Sequence, residues 1–447
     1  MTLPKIAIVP TGGTIQNGQP LVTSAKAGGP LNVLRPQRLY EPVTVKIARE
    51  DLDGNTVPPE SSEEPFWIAT LEPEDGLYLL PPMEPGHNPP KGYAPVHRDV
   101  NRIIKEIDRF GLDTRGRNNL LSEQADLVVK QVTDPRTGRE LRAGGNTFTM
   151  YELVLIANTV QNALAEENVA GCVVTHGTFT AEETACFLNY CIDSDKPIVV
   201  CASQRRHSSI GNDGDWNFVD AVRVAGHPEA RGRGVMMVMN EQILPAREVT
   251  KTSQRPDGFV SSGGVAGALG SIESDQVSFY FSPSRKHTFR SEVRMHGAIP
   301  AVLPRVDIIK TYAGADDIPV LALVERALKE RAEPDAPRRH GIVVEGFAYD
   351  GKPHQDQKPA LEMAITKHGI PVAVANRGDY GRAPRNPEEL FISSDNLMAV
   401  KARLLLILAI EKLGMLTPYR DAGNPTSDER ARLTQEIGCY QDLFDTH

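Results

Sequence analysis

Two threonines stand where a hydroxyl can do chemistry. Thr14 belongs to the string Thr11-Gly12-Gly13-Thr14-Ile15, and Thr178 ends the string Thr175-His176-Gly177-Thr178. Each string follows an apolar run that reads as a buried strand, residues 5–10 and 171–174. Open α/β sheets bind ligands outside the carboxyl ends of their strands. Two hydroxyls at such an edge suggest nucleophilic catalysis. Gly12 and Gly13 allow a sharp turn and close approach of a ligand to backbone N–H groups; the plainer alternative is a turn whose Thr14 merely caps a helix. His176-Gly177-Thr178 runs into an acidic helix start, whose backbone donors suit an anion or a developing oxyanion. His176 itself is expected to satisfy its neighbours' hydrogen bonds rather than carry protons. Lys251, in Arg247-Glu248-Val249-Thr250-Lys251-Thr252, is by default a solvated surface charge. If buried, its pKa falls and it can act as base for a threonine.

The elements that must hold these groups alternate. Residues 172–175 and 198–201 read as strands, and 181–190 as a helix with Glu182 and Glu183 in its first turn, which suits a helix N-terminus. A helix over 216–224 and a strand over 235–239 follow. In a second block, strands at 342–344 and 372–374 flank a helix over 359–368. Residues 396–413 predict an amphipathic helix with Leu397, Val400, Leu404, Ile407 and Leu408 on one face. Such βαβ order predicts an α/β fold with mainly parallel sheets. Two domains are expected, 1–290 and 305–447, divided in the Pro-containing stretch 281–305. Residues 45–143 read as a long insertion in the first domain, rich in Pro, Gly, Asp and Glu. It contains a helix near 100–110 and a turn at 134–138. A structureless loop of that length is improbable, so an ordered cover over part of the ligand edge is expected. The polar tail after Gly414 is expected to pack as one more helix or to fray.

The bulk properties exclude several classes. The chain has 447 residues, a formal net charge of −9 and no long Lys/Arg block, so the footprint of a nucleic-acid binder is missing. Five cysteines without CxxC spacing argue against a zinc site or a disulfide framework and fit a reducing compartment. No run approaches the 18 or so apolar residues of a membrane span, and the start lacks a signal-peptide pattern. A cytoplasmic protein without membrane partner, metal or cofactor is expected. A dinucleotide GxGxxG after the first strand and a P-loop Gly-Lys-Ser/Thr are both absent.

In their order, these strings resemble the L-asparaginase/glutaminase family of amidohydrolases. The likeness is carried by residues 11–15 and 175–178, by Glu182-Glu183-Thr184, Asp195-Lys196-Pro197, Asp213-Gly214, Asn217, Ala221-Val222-Arg223 and 247–252, and by Ser284-Arg285-Lys286-His287-Thr288 and Lys401-Ala402-Arg403-Leu404. It covers residues 1–20 and about 144–413. The resemblance implies two α/β domains, a homodimer or homotetramer with sites at subunit contacts, and a small-molecule amide substrate. It also implies a nucleophilic role for Thr14, with Thr178 and Lys251 aiding proton transfer and backbone N–H groups beside Thr178, Gly177 included, facing the substrate. The mobile-loop tyrosine of the family has its nearest counterpart in Tyr40, and the carboxylate supplied by the second domain in Glu388 or Glu389.

Departures from the family pattern bear on substrate. Phe179 stands where the family has an aspartate that grips the substrate's α-ammonium. Thr147 replaces the serine of the family's substrate loop, Phe148 replaces its glutamine, and Gln204 lies in the segment matching another strand-end motif of the site. A phenyl ring cannot compensate an ammonium. The expected activity is therefore hydrolysis of a carboxamide or lactam lacking a free α-amino group. The alternatives are an L-asparaginase with a relocated ammonium anchor and a non-catalytic binding relative.

Overall fold

The computed structural model describes residues 3–18, 100–110, 120–141, 147–205, 211–262, 264–273, 275–333, 337–378 and 381–447, together with two-residue strand segments at 23–24, 49–50, 56–57, 66–67 and 96–97. Tyr40 and most of the expected insertion lie outside the described residues.

The first domain is built on one eight-stranded sheet. Its strands are β1 (Lys5–Pro10), β2 (Asp126–Val129), β3 (Val169–Thr175), β4 (Ile198–Cys201), β5 (Val235–Met239) and β6 (Gln242–Pro245). A short hairpin apart from that sheet, β7 (Val249–Lys251) with β8 (Phe259–Ser261), precedes its last strands, β9 (Gly270–Glu273) and β10 (Gln276–Phe279). The spatial order is β10-β9-β6-β5-β4-β3-β1-β2. Strands β2, β1, β3, β4 and β5 run parallel, and β6, β9 and β10 complete the sheet through antiparallel pairs.

The five parallel strands are apolar on both faces because helices cover both. One face is covered by α1 (Val100–Phe110), α2 (Leu121–Gln124) and α5 (Gly214–Gly226), the other by α3 (Met150–Ala165) and α4 (Ala181–Cys191). Helix α1 occupies the residues predicted for it. Strand β2 was not foreseen. It pairs with β1, Lys5 opposite Asp126 through Ile8 opposite Val129, so part of the stretch read as insertion is an edge strand of the main sheet. The inserted chain instead leaves and returns beside the first motif, where Asn17 pairs with His97 and Gly18 with Val96.

The second domain has a four-stranded parallel sheet, β11 (Arg305–Lys310), β12 (His340–Gly346), β13 (Val372–Asn376) and β14 (Ile392–Ser393), in that order. Helices α6 (Ile318–Arg331), α7 (Lys358–His368), α8 (Ala399–Leu413) and α9 (Ser427–Thr446) complete it. The amphipathic pattern expected of α8 gives way to burial nearly all round, with residues 404–410 and Ala402 inaccessible and Val400 half-buried. The reason is tertiary: α8 lies between the second sheet and α4 of the first domain. The tail packs rather than frays. Thr426 and Glu429 form a capping box at the start of α9, and the Gln441 side chain exchanges two hydrogen bonds with the backbone of Ser393. Among the described residues no helix is long and apolar enough to cross a membrane.

Candidate active site

The site begins with two glycine turns pressed back to back. Strands β1 and β3 are neighbours, and Pro10 lies opposite Thr175, so the two threonine strings leave the sheet side by side at its carboxyl edge. The Thr11 hydroxyl and N–H both donate to the Thr175 carbonyl, at 2.9 and 3.1 Å. Gln16 ties the turns together, its Oε1 accepting from Gly12 N–H at 2.5 Å and from the Thr175 hydroxyl at 3.4 Å. Gly13 has a φ of +88°, and a Cβ there would stand 2.3 Å from the backbone of Gly177. No other residue satisfies that conformation and that contact. Thr14, half-buried, opens the short 3₁₀ turn Thr14–Gln16 that follows.

His176 is structural. It is fully buried, with Nδ1 2.7 Å from the Gly177 carbonyl and Nε2 2.8 Å from the Thr184 hydroxyl. Burial pushes its pKa down to about 4, so the ring stays neutral at pH 7. Its two nitrogens join the turn to α4, as the sequence predicts. The Phe148 ring packs edge-on against it, centroids 5.2 Å apart.

Thr178 and Lys251 meet directly. The Lys251 ammonium donates to Thr178 Oγ1 at 2.7 Å, although 73 residues separate them. Thr178 is buried at the start of the segment leading into α4, and Lys251 ends β7. The Phe179 and Phe259 rings flank the ammonium at 5.4 and 6.0 Å. Burial lowers the Lys251 pKa, and the nearby Glu182 carboxylate partly opposes that shift. Glu182 also accepts the Lys251 backbone N–H at 3.0 Å, and burial raises its own pKa. An amine held against a hydroxyl, drier than a surface lysine, has the character of a proton acceptor.

The remaining predicted residues divide. Phe179 is 64 % exposed beside the ammonium, so its ring faces outward at the site. Thr147 is exposed just before α3, whose N-cap is Thr149 rather than Thr147. Gln204 sits three residues past β4 at the same sheet edge, and its side-chain amide donates to the Ser253 carbonyl at 3.1 Å, tying that edge to the loop between β7 and β8. Glu389 pairs with Lys358 at 3.1 Å within the second domain. Sequence inspection passed over Gln16 and gave no role to Glu182 or Lys401. The signals for Glu182 were its place in the first turn of α4 and in a family-like string; Gln16 carried none.

Comparisons with known proteins bear on the family and the fold. The family model described as "Asparaginase, N-terminal" matches residues 113–285, and "Glutaminase/Asparaginase C-terminal domain" matches 305–416. The first match begins at 113 and so takes in β2. L-asparaginase 2 of Bacillus subtilis is 36 % identical over 288 residues, 64 % of this chain and 72 % of that protein. A glutaminase-asparaginase of Acinetobacter glutaminasificans is 31 % identical over 294 residues, 64 % of this chain and 84 % of the relative. Among solved structures, a probable cytoplasmic L-asparaginase from Campylobacter jejuni superposes with a TM-score of 0.64 at 25 % identity, covering 99 % of this chain and all of the other.

Proposed function

The chain belongs to the asparaginase family, and from that premise we propose that it is an amidohydrolase in which Thr14 is the nucleophile. The observation that carries this reading is the 2.7 Å contact between the Lys251 ammonium and the Thr178 hydroxyl, at the sheet edge where Thr14 also stands. A threonine hydroxyl is a poor nucleophile without a base. In its neutral form Lys251 accepts a proton relayed through the Thr178 hydroxyl. The Thr14 Oγ1 then bonds to the amide carbon, and the negative charge that develops on oxygen faces backbone N–H groups of the second turn. Collapse breaks the C–N bond, and the nitrogen leaves with the relayed proton as ammonia, or as a tethered amine if the substrate is a lactam. Water next attacks the acyl-threonine, gives up its proton along the same route, and releases the carboxylic acid and Thr14.

Phe179 sets the substrate class in this proposal. Its exposed ring beside Lys251 offers no charge to an α-ammonium, whereas sites built around such a pairing discriminate strongly by it. The substrate is then a primary amide or lactam without a free α-amino group. A second reading, turnover of L-asparagine, draws on the names of the relatives. Turnover of a panel holding L-asparagine, L-glutamine and their des-amino analogues, with Thr14→Ala as control, separates the two. Preference for the des-amino amides supports the proposal; preference for L-asparagine overturns its substrate assignment; turnover surviving in Thr14→Ala overturns the nucleophile.

A further inference from the structure

Among the described residues Lys401 is the one lysine in the set of largest fully buried side chains, and the reaction above gives it no part. It lies in the first turn of α8, in the second domain, yet its ammonium donates into the first. One bond goes to the Arg247 carbonyl at 2.8 Å and another to the Val249 carbonyl. Those carbonyls flank the start of β7, the strand whose last residue is Lys251. Burying an ammonium costs several kcal/mol unless its donors are satisfied, so this contact is a specific arrangement rather than surface chemistry.

The neighbours of β7 are similarly arranged. Met398 Sδ accepts from the Thr250 hydroxyl at 3.0 Å, Asn396 Oδ1 accepts from Arg247 at 2.8 Å, and the Asn396 amide donates to Glu248 at 3.0 Å. Helix α4 supplies Glu182, which accepts the Lys251 N–H. The strand is thus held by groups from both domains, where α4 and α8 pack together. The charged groups facing Lys401 are Glu182, Glu248 and Arg247; those facing Glu182 are Lys401, Lys251 and Glu183.

We propose that Lys401 is a positioning residue, a clamp from the second domain that sets β7 so that the Lys251 ammonium meets the Thr178 hydroxyl. The inference rests on the role given to Lys251 above. The ammonium of Lys401 also favours the ionised form of Glu182, the carboxylate that holds the Lys251 backbone. Hydrogen bonding and charge therefore act in the same direction. Loss of either lets the base drift, and a misplacement of about 1 Å in an active site costs on the order of 100-fold in rate.

The test compares Lys401→Met, Lys401→Arg and, as a stability control on the same helix, Leu404→Ala. Three quantities are read: kcat and KM, the acid limb of the pH–rate profile, and amide hydrogen exchange of a peptide spanning 247–252. Lys401→Met is expected to lower kcat about 100-fold with KM within about threefold, to move the acid limb to higher pH, and to speed exchange in 247–252. Lys401→Arg restores most of kcat and the acid limb, because it keeps the charge and the donors. Leu404→Ala lowers stability with the acid limb unmoved. Equal behaviour of Lys401→Met and Leu404→Ala overturns the proposal, as does faster exchange with kcat unchanged. If turnover survives Lys251→Met, the role of Lys251 itself fails, and the exchange data then report on the clamp alone.

Discussion

The parallel strands of the two main sheets make two carboxyl edges, and the edges differ in what they do with charge. At the first, polar groups are buried with few ionic partners: the Thr175 and His176 side chains are fully covered, and Lys251 faces a hydroxyl and two rings, with the Glu182 carboxylate the nearby charge. At the second, charges are paired. A cavity of about 200 Å³ is bordered by Asp350, Lys352, Arg385 and Glu389, and Lys352 lies 2.9 Å from Asp350. Tyr349 beyond β12 is 91 % exposed. The two lysines show the consequence. Burial pulls the Lys251 pKa down, whereas the hydrogen bond that the Lys352 ammonium donates to Asp350 holds the Lys352 pKa above its ordinary value. Parallel sheets make ligand edges as a matter of geometry; a reactive base requires burial with little compensating charge.

The sharpest way to break this comparison is to exchange the lysines for methionine one at a time. Lys251→Met is expected to cut turnover by about 10³-fold, within the range of a lost general base, and Lys352→Met to leave it within about twofold. Equal losses would mean that the second edge takes part in the chemistry. Next comes the packing of the two turns. Gly13→Ala forces a Cβ into the backbone of Gly177 at a φ of +88°. It is expected to lower stability by at least about 3 kcal/mol in urea unfolding, with a cost under 1 kcal/mol showing that the turns can separate.

A smaller effect follows from His176. Its folded pKa near 4 lies below the ordinary 6.5, so the unfolded chain takes up the proton first as pH falls. The stability this contributes is complete above about pH 6.5 and is lost as pH drops toward 4. Between pH 7.5 and 5 the difference is about 2 kcal/mol. Asp220 acts in the opposite sense. Burial pushes its pKa up to about 7, so its contribution is complete below the ordinary carboxylate pKa and is lost as pH rises through 7. Comparing the wild type with His176→Gln cancels the Asp220 contribution, and parallel stability–pH curves for the two proteins would refute the assignment. The smallest change sharpens the substrate question. Phe179→Asp places a carboxylate beside Lys251 and is expected to shift preference toward α-amino amides by about tenfold, the scale of about 1.4 kcal/mol. An unchanged ratio would remove Phe179 from substrate choice.

Much of this was legible along the chain because it rests on local patterning. Apolar runs followed by Gly and Thr marked β1 and β3 and the turns after them; Glu182 and Glu183 marked the start of α4; helix α1 took up its predicted residues. Strand β2 escaped notice because Asp126-Leu127-Val128-Val129 is short, and only its partner β1 makes it a strand. The burial of α8 escaped for a similar reason, since periodicity reports one face and cannot tell that α4 covers the other. The bond from the Gln204 amide to the Ser253 carbonyl joins residues 49 apart, a pairing no spacing could reveal.

By itself, then, the sequence determined the residue types of the chemistry, the α/β class, and the glycines without which two strand ends could not touch. Each of these follows from the conformational freedom or apolarity of a few consecutive residues. The tertiary structure decided which of the 49 Lys and Arg residues meets the Thr178 hydroxyl and which is buried against the backbone leading into β7. It brought Lys251 to Thr178 across 73 residues and Lys401 to the Val249 carbonyl across 152. A lysine's pKa and its partners are set by the water it loses and the groups it meets, and both depend on chain folded from far away.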